Sequence, residues 1–346
     1  MAIRLLIITQ KVDINDPILG FFHRWIEEFA KHCEKITVIC LGKGKYNLPD
    51  NVEVLSLGKE NRGPRISYAF LFFKYIFSNL GNYNTVFVHM NQEYILLGGV
   101  FWRLFGKKIL FWRNHLKGSF LTDISVFLSN MTFCTSPSSY TARFKKTQIM
   151  PAGIDTDFFR QDLPVKKKLS SILFFGRIAP VKKVDIFVDA LKELHEQGIE
   201  FSATIAGASL PIDAGYEKTI KDKVNAFGLN ERVRFTGSLS QAEALETYKK
   251  HEVYVNLTPS GSLDKTIFEA LASGMKVLVS NTFFSGVLPE DWIVESPEDP
   301  GNLARIIKMA LNGPPESLET QKKISIFLQE HSLSALTEKL AREFTP

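Results

Sequence analysis

Residues 172–191, ILFFGRIAPVKKVDIFVDAL, decide the fold of this chain. An apolar run of strand type ends at Gly176, and the loop that follows carries Arg177 and Lys182. The next apolar positions recur at the three- and four-residue spacing of a helix face: Val184, Phe187, Val188 and Leu191. Such a strand–loop–helix unit places two cations and a helix N-terminus at the carboxyl edge of a parallel sheet. Because open α/β folds bind anions at that edge, the stretch predicts a site for a phosphate-bearing ligand.

The same unit recurs along the chain. In the first half, apolar strands are predicted at residues 4–8, 35–41, 52–56, 85–89, 108–112, 131–135 and 147–150, with helical patterns between them, for example 21–31 and 66–80. In the second half, strands are predicted at 172–175, 201–206, 232–236, 252–256 and 276–279, with helices at 183–197, 213–227, 241–249, 264–273, 299–312, 317–329 and 333–343. This alternation predicts two Rossmann-like, doubly wound parallel-sheet domains that face each other across a cleft.

A polar, Lys-rich stretch at residues 160–170, RQDLPVKKKLS, interrupts the alternation and is the candidate linker. We therefore expect an N-terminal domain at residues 1–165 and a second domain at 166–330. The final helix, at about residues 331–346, is expected to return to the first domain.

Composition narrows the class of protein. The chain has 346 residues, 45% of them apolar and 23% charged, which suits a globular protein of two domains. No apolar run approaches the roughly 18 residues needed to span a bilayer, and the N-terminus resembles a first strand rather than a signal peptide. The three cysteines are odd in number and lack metal-ligand spacing. They predict reduced core thiols and a cytoplasmic protein.

The net charge of +5 is unevenly distributed. Residues 1–165 contain 20 Lys/Arg against 13 Asp/Glu, and their basic segments 68–77 and 101–108 are rich in aromatic residues. A basic, aromatic surface can lie on anionic lipid, so peripheral contact with the inner face of a membrane is one expectation. Core helices with ordinary solvated lysines are the alternative. No nucleic-acid motif accompanies the charge, and no nucleic-acid partner is expected.

A second signal lies at residues 257–274, LTPSGSLDKTIFEALASG. A strand ends in a Pro/Ser/Gly turn, and a helix begins near Asp264. The backbone N–H groups of residues 263–266 would then form a second anion cradle together with the helix dipole. Glu269, one and a half turns into the helix, is suited to accept hydrogen bonds from a vicinal diol such as a ribose. Two phosphate-facing elements and a diol acceptor predict a nucleoside-diphosphate ligand. The alternative is that these charged residues are ordinary solvated side chains.

Three motifs carry a resemblance to a known family. GRIAPVKK resembles the G-R-x-x-x-x-K-G loop of retaining glycosyltransferases of family four, glycosyl transferases group 1. The stretch SGSLDKTIFEALASGMKVLVSN resembles their segment with two glutamates eight residues apart, and MPAGIDTDFF resembles their N-G-V-D-x-x-x-F crossing. The resemblance implies the GT-B fold and the transfer of a sugar from a nucleotide donor.

The resemblance also implies roles for individual residues. Arg177 and Lys182 match the pair that holds the donor diphosphate, and Glu269 matches the ribose ligand. His115 matches a histidine that contacts the donor sugar, and Gly20 matches the glycine-rich loop. The remaining donor-binding residues are expected in the turn before Glu269 and at its helix start: Ser262, Leu263, Asp264, Lys265 and Thr266. As catalytic residues we expect His115, Arg177, Lys182 and Asp264.

The chain departs from the family pattern at several positions. The first glutamate of the segment is replaced by Gly261, so Asp264 takes over the sugar contact, the donor differs in its hydroxyl pattern, or activity is lost. Smaller departures are Ala152 for Asn, Lys183 for Gly and Lys276 for Pro. The Asp-x-Asp sequence at Asp155 lies in the crossing loop and is not expected to bind metal.

The function expected is transfer of a sugar with retention, from a nucleotide-sugar donor, with UDP favoured, to a glycan, small-molecule or lipid-linked acceptor. No cofactor and no metal are expected, since the cations belong to the protein. The alternatives are a non-catalytic nucleotide-sugar binding protein and a GT-B nucleotide-sugar epimerase. A nicotinamide dehydrogenase is disfavoured because no G-x-G-x-x-G follows the first strand.

Overall fold

A computed structural model of the protein describes residues 2–160 and 167–345. The chain forms two compact units, Met1–Gly153 together with Ser332–Pro346, and Ile154–His331. Each is an α/β unit built on a parallel sheet, which confirms the predicted fold class.

The first unit contains a seven-stranded parallel sheet with the order β3-β2-β1-β4-β5-β6-β7. Its strands are β1 (Arg4–Val12), β2 (Lys35–Lys43), β3 (Val52–Ser56), β4 (Thr85–His89), β5 (Lys108–Trp112), β6 (Met131–Cys134) and β7 (Thr147–Ile149). β1 continues four residues beyond its predicted end at residue 8, because Lys11 and Val12 pair with Gly42 and Lys43 of β2. The polar residues in that extension conceal it from a reading of apolar runs.

Helices cover both faces of this sheet. They are α1 (Gly20–Ala30), α2 (Arg65–Ser78), α3 (Gln92–Leu104), α4 (Phe120–Leu128) and, from the end of the chain, α12 (Leu333–Phe344). α1 and α12 share one hydrophobic core with the sheet, in which the rings of Phe29 and Phe344 meet edge to face at 5.2 Å. α2, α3 and α4 contribute to a second core on the opposite face.

The second unit contains a five-stranded parallel sheet with the order β10-β9-β8-β11-β12. Its strands are β8 (Ser171–Phe175), β9 (Ser202–Ala206), β10 (Val233–Gly237), β11 (Val253–Asn256) and β12 (Lys276–Val279). The helices are α5 (Thr156–Phe159), α6 (Val184–Glu196), α7 (Ala214–Ala226), α8 (Gln241–Lys250), α9 (Lys265–Ala272), α10 (Pro300–Asn312) and α11 (Leu318–Glu330). The strand order reverses between β8 and β11, and open α/β sheets bind ligands outside the carboxyl ends of strands at such a reversal.

The division of the chain lies earlier than the expected boundary. That boundary, between residues 165 and 166, falls within 161–166, outside the described residues, as does part of the candidate linker. α5 already belongs to the second unit because Phe159 is buried there and its carbonyl accepts a hydrogen bond from Ser273 Oγ at 3.1 Å. At the other end of the chain, α12 packs on α1 within the first unit.

Gly153 ends the first part of the first unit. Its φ of +68° lies in the left-handed region, and a Cβ there would approach Leu336 Cδ2 within 2.3 Å and Trp25 Cζ2 within 2.6 Å. Trp25 Nε1 donates a hydrogen bond to the Gly153 carbonyl at 2.9 Å. Glycine is therefore required here on two grounds, backbone conformation and space.

None of the described helices is long and apolar enough to cross a membrane. The three cysteines, Cys33, Cys40 and Cys134, are buried free thiols.

Candidate active site

Two loops meet at the strand reversal of the second sheet. One follows β8 and runs from Gly176 to Lys183, where α6 begins. The other follows β11 and runs from Leu257 to Asp264, where α9 begins. Both loops that the sequence predicted to face phosphate thus leave adjacent parallel strands at the same edge.

The loop after β8 presents Arg177 to solvent. Among the described residues this side chain has no hydrogen-bond or ion-pair partner, so all its N–H groups remain open to a ligand. Lys183, at the end of the loop, adopts the left-handed conformation with φ +52° and ψ +44°. Glycine, which the family pattern has at this position, adopts the left-handed conformation without strain, whereas a lysine does so at a cost in free energy.

Lys182 lies in the first loop, and its ammonium contacts residues of the second loop. Its ammonium forms an ion pair with Asp264 Oδ2 and donates to Thr258 Oγ1 at 3.0 Å. The Lys182 and Asp264 side chains are only 15% and 16% exposed. The structure therefore brings together two of the predicted catalytic residues, 82 positions apart in sequence.

Asp264 is held by two further donors. Thr258 Oγ1 lies 2.7 Å and Asn256 Nδ2 3.1 Å from the same carboxylate oxygen, Oδ2. Burial alone would raise the pKa of Asp264, but the charge and hydrogen bonds of Lys182 and the two neutral donors outweigh it. The pKa of Asp264 is consequently held below its ordinary value, and the carboxylate is ionised at neutral pH.

The start of α9 contains the remaining predicted donor-binding residues. Ser262, Leu263 and Lys265 are half-buried beside the first turn, where backbone N–H groups have no helical acceptor. The hydroxyl of Thr266 is occupied, since it lies 2.8 Å from the hydroxyl of buried Tyr254. The helix dipole adds positive potential at this end.

Glu269 lies one turn further along α9 and is only 8% exposed. Tyr248 on α8 donates its hydroxyl to Glu269 Oε2 at 3.0 Å. Burial raises the pKa of Glu269 to about 7, although Tyr248 and Lys265 counteract it. Burial also lowers the pKa of Lys265 to about 7, opposed by the charge of Glu269. These two groups therefore change protonation near neutral pH, which is typical of functional sites.

Gly261 occupies the position of the missing glutamate. Its φ of +101° lies where residues with a side chain are strained. The backbone of the turn therefore favours glycine, and the nearest carboxylate, Asp264, is engaged with Lys182 rather than exposed.

The two predicted residues of the N-terminal half, Gly20 and His115, lie in the first unit. Gly20 is the buried first residue of α1 and donates its N–H to the Asp16 carbonyl at 2.9 Å. His115 is exposed in the loop after β5, with Nδ1 3.0 Å from the backbone nitrogen of Lys117 and 2.8 Å from its carbonyl oxygen. One neighbouring residue thus orients the imidazole ring.

Lys276 and Asp155 each have a local structural role. Lys276 directs its ammonium to the carbonyls of Ala310 and Gly313, at 2.8 and 3.0 Å, and so caps the end of α10. Asp155, the first residue of the Asp-x-Asp sequence, accepts a hydrogen bond from the Phe158 N–H at 3.0 Å and caps α5.

Four residues that support the site were not predicted from the sequence: Tyr248, Tyr254, Asn256 and Thr258. Asn256 and Thr258 carried a usable signal, because they are polar residues at the carboxyl end of an apolar strand. The two tyrosines had none, since their partners Glu269 and Thr266 become neighbours only when α8, α9 and β11 pack together.

Comparisons with known proteins agree with this geometry. Residues 155–326 match the family model of glycosyl transferases group 1. The lipopolysaccharide core biosynthesis mannosyltransferase LpcC of Rhizobium leguminosarum bv. viciae is 30% identical over 107 residues, which cover 31% of this chain and 30% of that protein. The mannosylfructose-phosphate synthase of Agrobacterium fabrum is 25% identical over 173 residues, covering 44% and 37%. The chain thus aligns with well under half the length of these curated relatives.

Solved structures extend the likeness to the whole chain. Anabaena HepE in complex with UDP-glucose superposes with a TM-score of 0.76 at 16% identity, covering 99% of both chains. A glycosyltransferase from Rickettsia africae gives a TM-score of 0.74 at 12% identity, covering 98% of this chain and 97% of that one. The predicted family and fold are confirmed: residues 155–326 belong to the glycosyl transferases group 1, and the chain has the GT-B fold.

Proposed function

We propose that this protein is a glycosyltransferase that moves a sugar, with retention, from a nucleoside-diphosphate donor to a glycan, small-molecule or lipid-linked acceptor. UDP is the proposed nucleotide. The observation that carries the proposal is the convergence of Lys182, the start of α9 and buried Glu269 at the strand reversal of the second sheet. Lys182 supplies positive charge for a diphosphate, the start of α9 supplies backbone N–H donors, and Glu269 supplies an acceptor for a diol.

Departure of the diphosphate is the step that these groups would assist. Negative charge builds on the leaving phosphate, and preorganised donors stabilise such charge most effectively where water is excluded. Asp264 and Thr258 each engage the Lys182 ammonium, which has a third N–H group for a phosphate oxygen. Arg177 adds a planar guanidinium that suits phosphate geometry. Since these cations belong to the protein, the proposal includes no metal and no cofactor.

Glu269 is the proposed acceptor for the ribose hydroxyls. The hydrogen bond from Tyr248 fixes the carboxyl group of Glu269. Because this carboxyl group is buried, leaving its oxygens without hydrogen-bond donors would cost free energy. Gly20 and His115 are proposed as residues for the donor sugar on the family resemblance alone. Asp264 is proposed to act at the sugar as well, through its position beside Lys182.

A second candidate function follows from Gly261. With glycine where the family has a carboxylate, the protein could bind a nucleotide sugar without transferring it. Turnover distinguishes the two candidates, because slow hydrolysis or transfer of the donor requires a competent sugar site.

Thermal shift with UDP, GDP, ADP, UDP-glucose and NAD tests the donor site. A ligand at 100 times its Kd stabilises the folded chain by about 2.7 kcal/mol, which is readily visible in the melting temperature. The matched variants are Arg177→Ala and, as a control, Arg234→Ala, which removes another exposed arginine of the same unit. We expect a shift with one nucleoside diphosphate that is lost in R177A and kept in R234A.

Two results would contradict the proposal. A shift with NAD alone would point to a dinucleotide enzyme, and an equal shift in R177A would remove the diphosphate site from this loop. Incubation of UDP-glucose with the wild-type chain then separates transferase from binding protein. Conversion to an epimeric sugar without an acceptor would identify an epimerase instead.

The acceptor and the location of the protein belong to the same proposal. A lipid-linked acceptor, peripheral contact through the first unit and a position on the cytoplasmic face of a membrane are consistent with one another.

A further inference from the structure

Three consecutive helices of the first unit form one layer. α2, α3 and α4 turn their inner sides to the same core, through Phe72, Ile76, Tyr94, Ile95, Trp102 and Val126. Their outer sides are therefore presented together on the opposite surface of the layer. A helix of a globular protein normally has a polar outer side, which these three helices lack over much of their length.

The outer side of α2 is an apolar stripe. Ile66, Phe70 and Phe77 are 81%, 69% and 42% exposed, and Phe73 lies between them. Their spacing of four, three and four residues places them along one helix face. The core-facing residues Phe72 and Ile76 lie on another side, so α2 has two apolar faces, only one of which is covered by this chain.

The outer side of α3 continues the stripe. Leu97, Val100, Phe101 and Leu104 are exposed at helical spacing, and Phe105 follows directly after the helix. Phe101 joins the two helices, since its ring centroid lies 5.4 Å from that of Phe77 and 5.8 Å from that of Phe73. The aromatic rings thus form one continuous ridge rather than scattered exposed residues.

α4 extends the surface on the far side of α3. Phe120 and Phe127 are 76% and 72% exposed. The two helices approach closely at Gly99, where a Cβ would lie 3.1 Å from Leu128 Cδ1. We call the outer sides of α2, α3 and α4 together the aromatic face. Contiguous apolar surface of this kind marks an interaction site.

The charges around the aromatic face are almost all positive. Residues 65–108, which include α2 and α3, contain five Lys/Arg and one Asp/Glu, Glu93, and Asp123 on α4 is paired with Arg143. Lys74 on α2 and Arg103 on α3 are exposed and, among the described residues, have no ion-pair partner. Aromatic side chains flanked by unpaired cations are the combination that binds the interface of an anionic bilayer.

We propose that the aromatic face docks on the surface of an anionic lipid bilayer, with Phe70 and Leu104 inserted among the headgroups and Lys74 and Arg103 on lipid phosphates. This inference deepens the proposed function, because it names the surface by which a transferase would reach a lipid-linked acceptor. A symmetric contact with a second copy is disfavoured, since a twofold axis would bring the same cations close to one another.

Vesicle co-sedimentation of the full chain tests the proposal, with phosphatidylcholine vesicles with and without phosphatidylglycerol. The test variant is Phe70→Ser with Leu104→Ser, and the matched control is Ile212→Ser with Leu318→Ser, which removes two apolar residues of the second unit that are somewhat more exposed. We expect binding to the anionic vesicles only, at least tenfold weaker in the test variant and unchanged in the control. Replacing Lys74 and Arg103 by Gln should weaken binding about fivefold per cation.

Three outcomes would overturn the inference: no sedimentation with anionic vesicles, equal loss in both double variants, or binding that does not depend on phosphatidylglycerol. Light scattering after size exclusion identifies the competing occupant, since a dimer that the test variant abolishes would assign the face to a second copy. The UDP thermal shift is measured on the same variants. Its persistence in the test variant separates failure of the membrane contact from failure of the donor site.

Discussion

The ion pair of Lys182 and Asp264 can be tested by a double-mutant cycle. Lys182→Met keeps the aliphatic stem and removes the ammonium, and Asp264→Asn keeps the shape and removes the charge. Removing one partner of a buried pair leaves the other uncompensated, at a cost of about 3–5 kcal/mol. Both side chains retain about one sixth of their exposure, so we expect about 2–3 kcal/mol for either single variant.

The double variant should lose much less than the sum. Without both charges, the site contains an amide and a thioether of similar volume, and such replacements are often nearly neutral. We therefore expect a coupling free energy of about 2 kcal/mol, measured from urea unfolding at neutral pH. Additive losses, with coupling under about 0.5 kcal/mol, would refute the idea that Lys182 is held by Asp264.

The pH dependence of stability provides a second measurement of the same pair. The folded-state pKa of Asp264 is lower than its unfolded value, so the folded chain binds fewer protons at this group. Its contribution to stability is present above the unfolded pKa and is lost as the pH falls through the folded pKa. In Lys182→Met the depression of the Asp264 pKa should shrink, so the wild type should lose more stability than the variant as the pH falls below the ordinary pKa of 3.8.

Three further predictions concern Gly153, the proposed ribose acceptor Glu269 and the left-handed residue Lys183. Gly153→Ala should lower the free energy of unfolding in urea by about 2–4 kcal/mol, because the new Cβ is crowded and the backbone is strained. Gly106→Ala is the control, since Gly106 has φ +67° and open space, and it should cost about 1 kcal/mol. Equal losses in the two variants would contradict the crowding at Gly153. Because burial raises the pKa of Glu269 to about 7, its ionisation should raise the affinity for UDP-glucose, whose phosphates stay ionised, as the pH rises through about 7, against the opposing loss of the Lys265 charge over the same range. Calorimetric titration of Glu269→Gln should show no such rise, and a rise kept in that variant would assign the titration to another group. Lys183→Gly should raise the free energy of unfolding in urea by about 1 kcal/mol, since glycine adopts the left-handed conformation without strain. A loss of stability would show that the ion pair of Lys183 with Glu298 outweighs the strain.

Much of the fold follows from local patterns. The predicted strands coincide with the observed ones to within two residues at all but one end, because apolar runs bounded by Gly, Pro and polar turns are local features. The exception, the extension of β1 to Val12, depends on pairing with β2, which no local pattern contains. The crossing motif at residues 150–159 contains the observed boundary at Gly153, but the assignment of α5 to the second unit depends on the packing of Phe159 there.

The candidate site divides in the same way. The sequence by itself determined which residues carry charge after strand ends, since Arg177, Lys182 and Asp264 lie in loops that follow apolar runs. Only the tertiary structure decided that Lys182 and Asp264 form an ion pair, that Glu269 is buried against Tyr248, and that the outer sides of three helices form one aromatic face. The physical reason is that charge, hydrophobicity and helical period are properties of the chain, whereas desolvation and side-chain contact arise only when distant elements pack together.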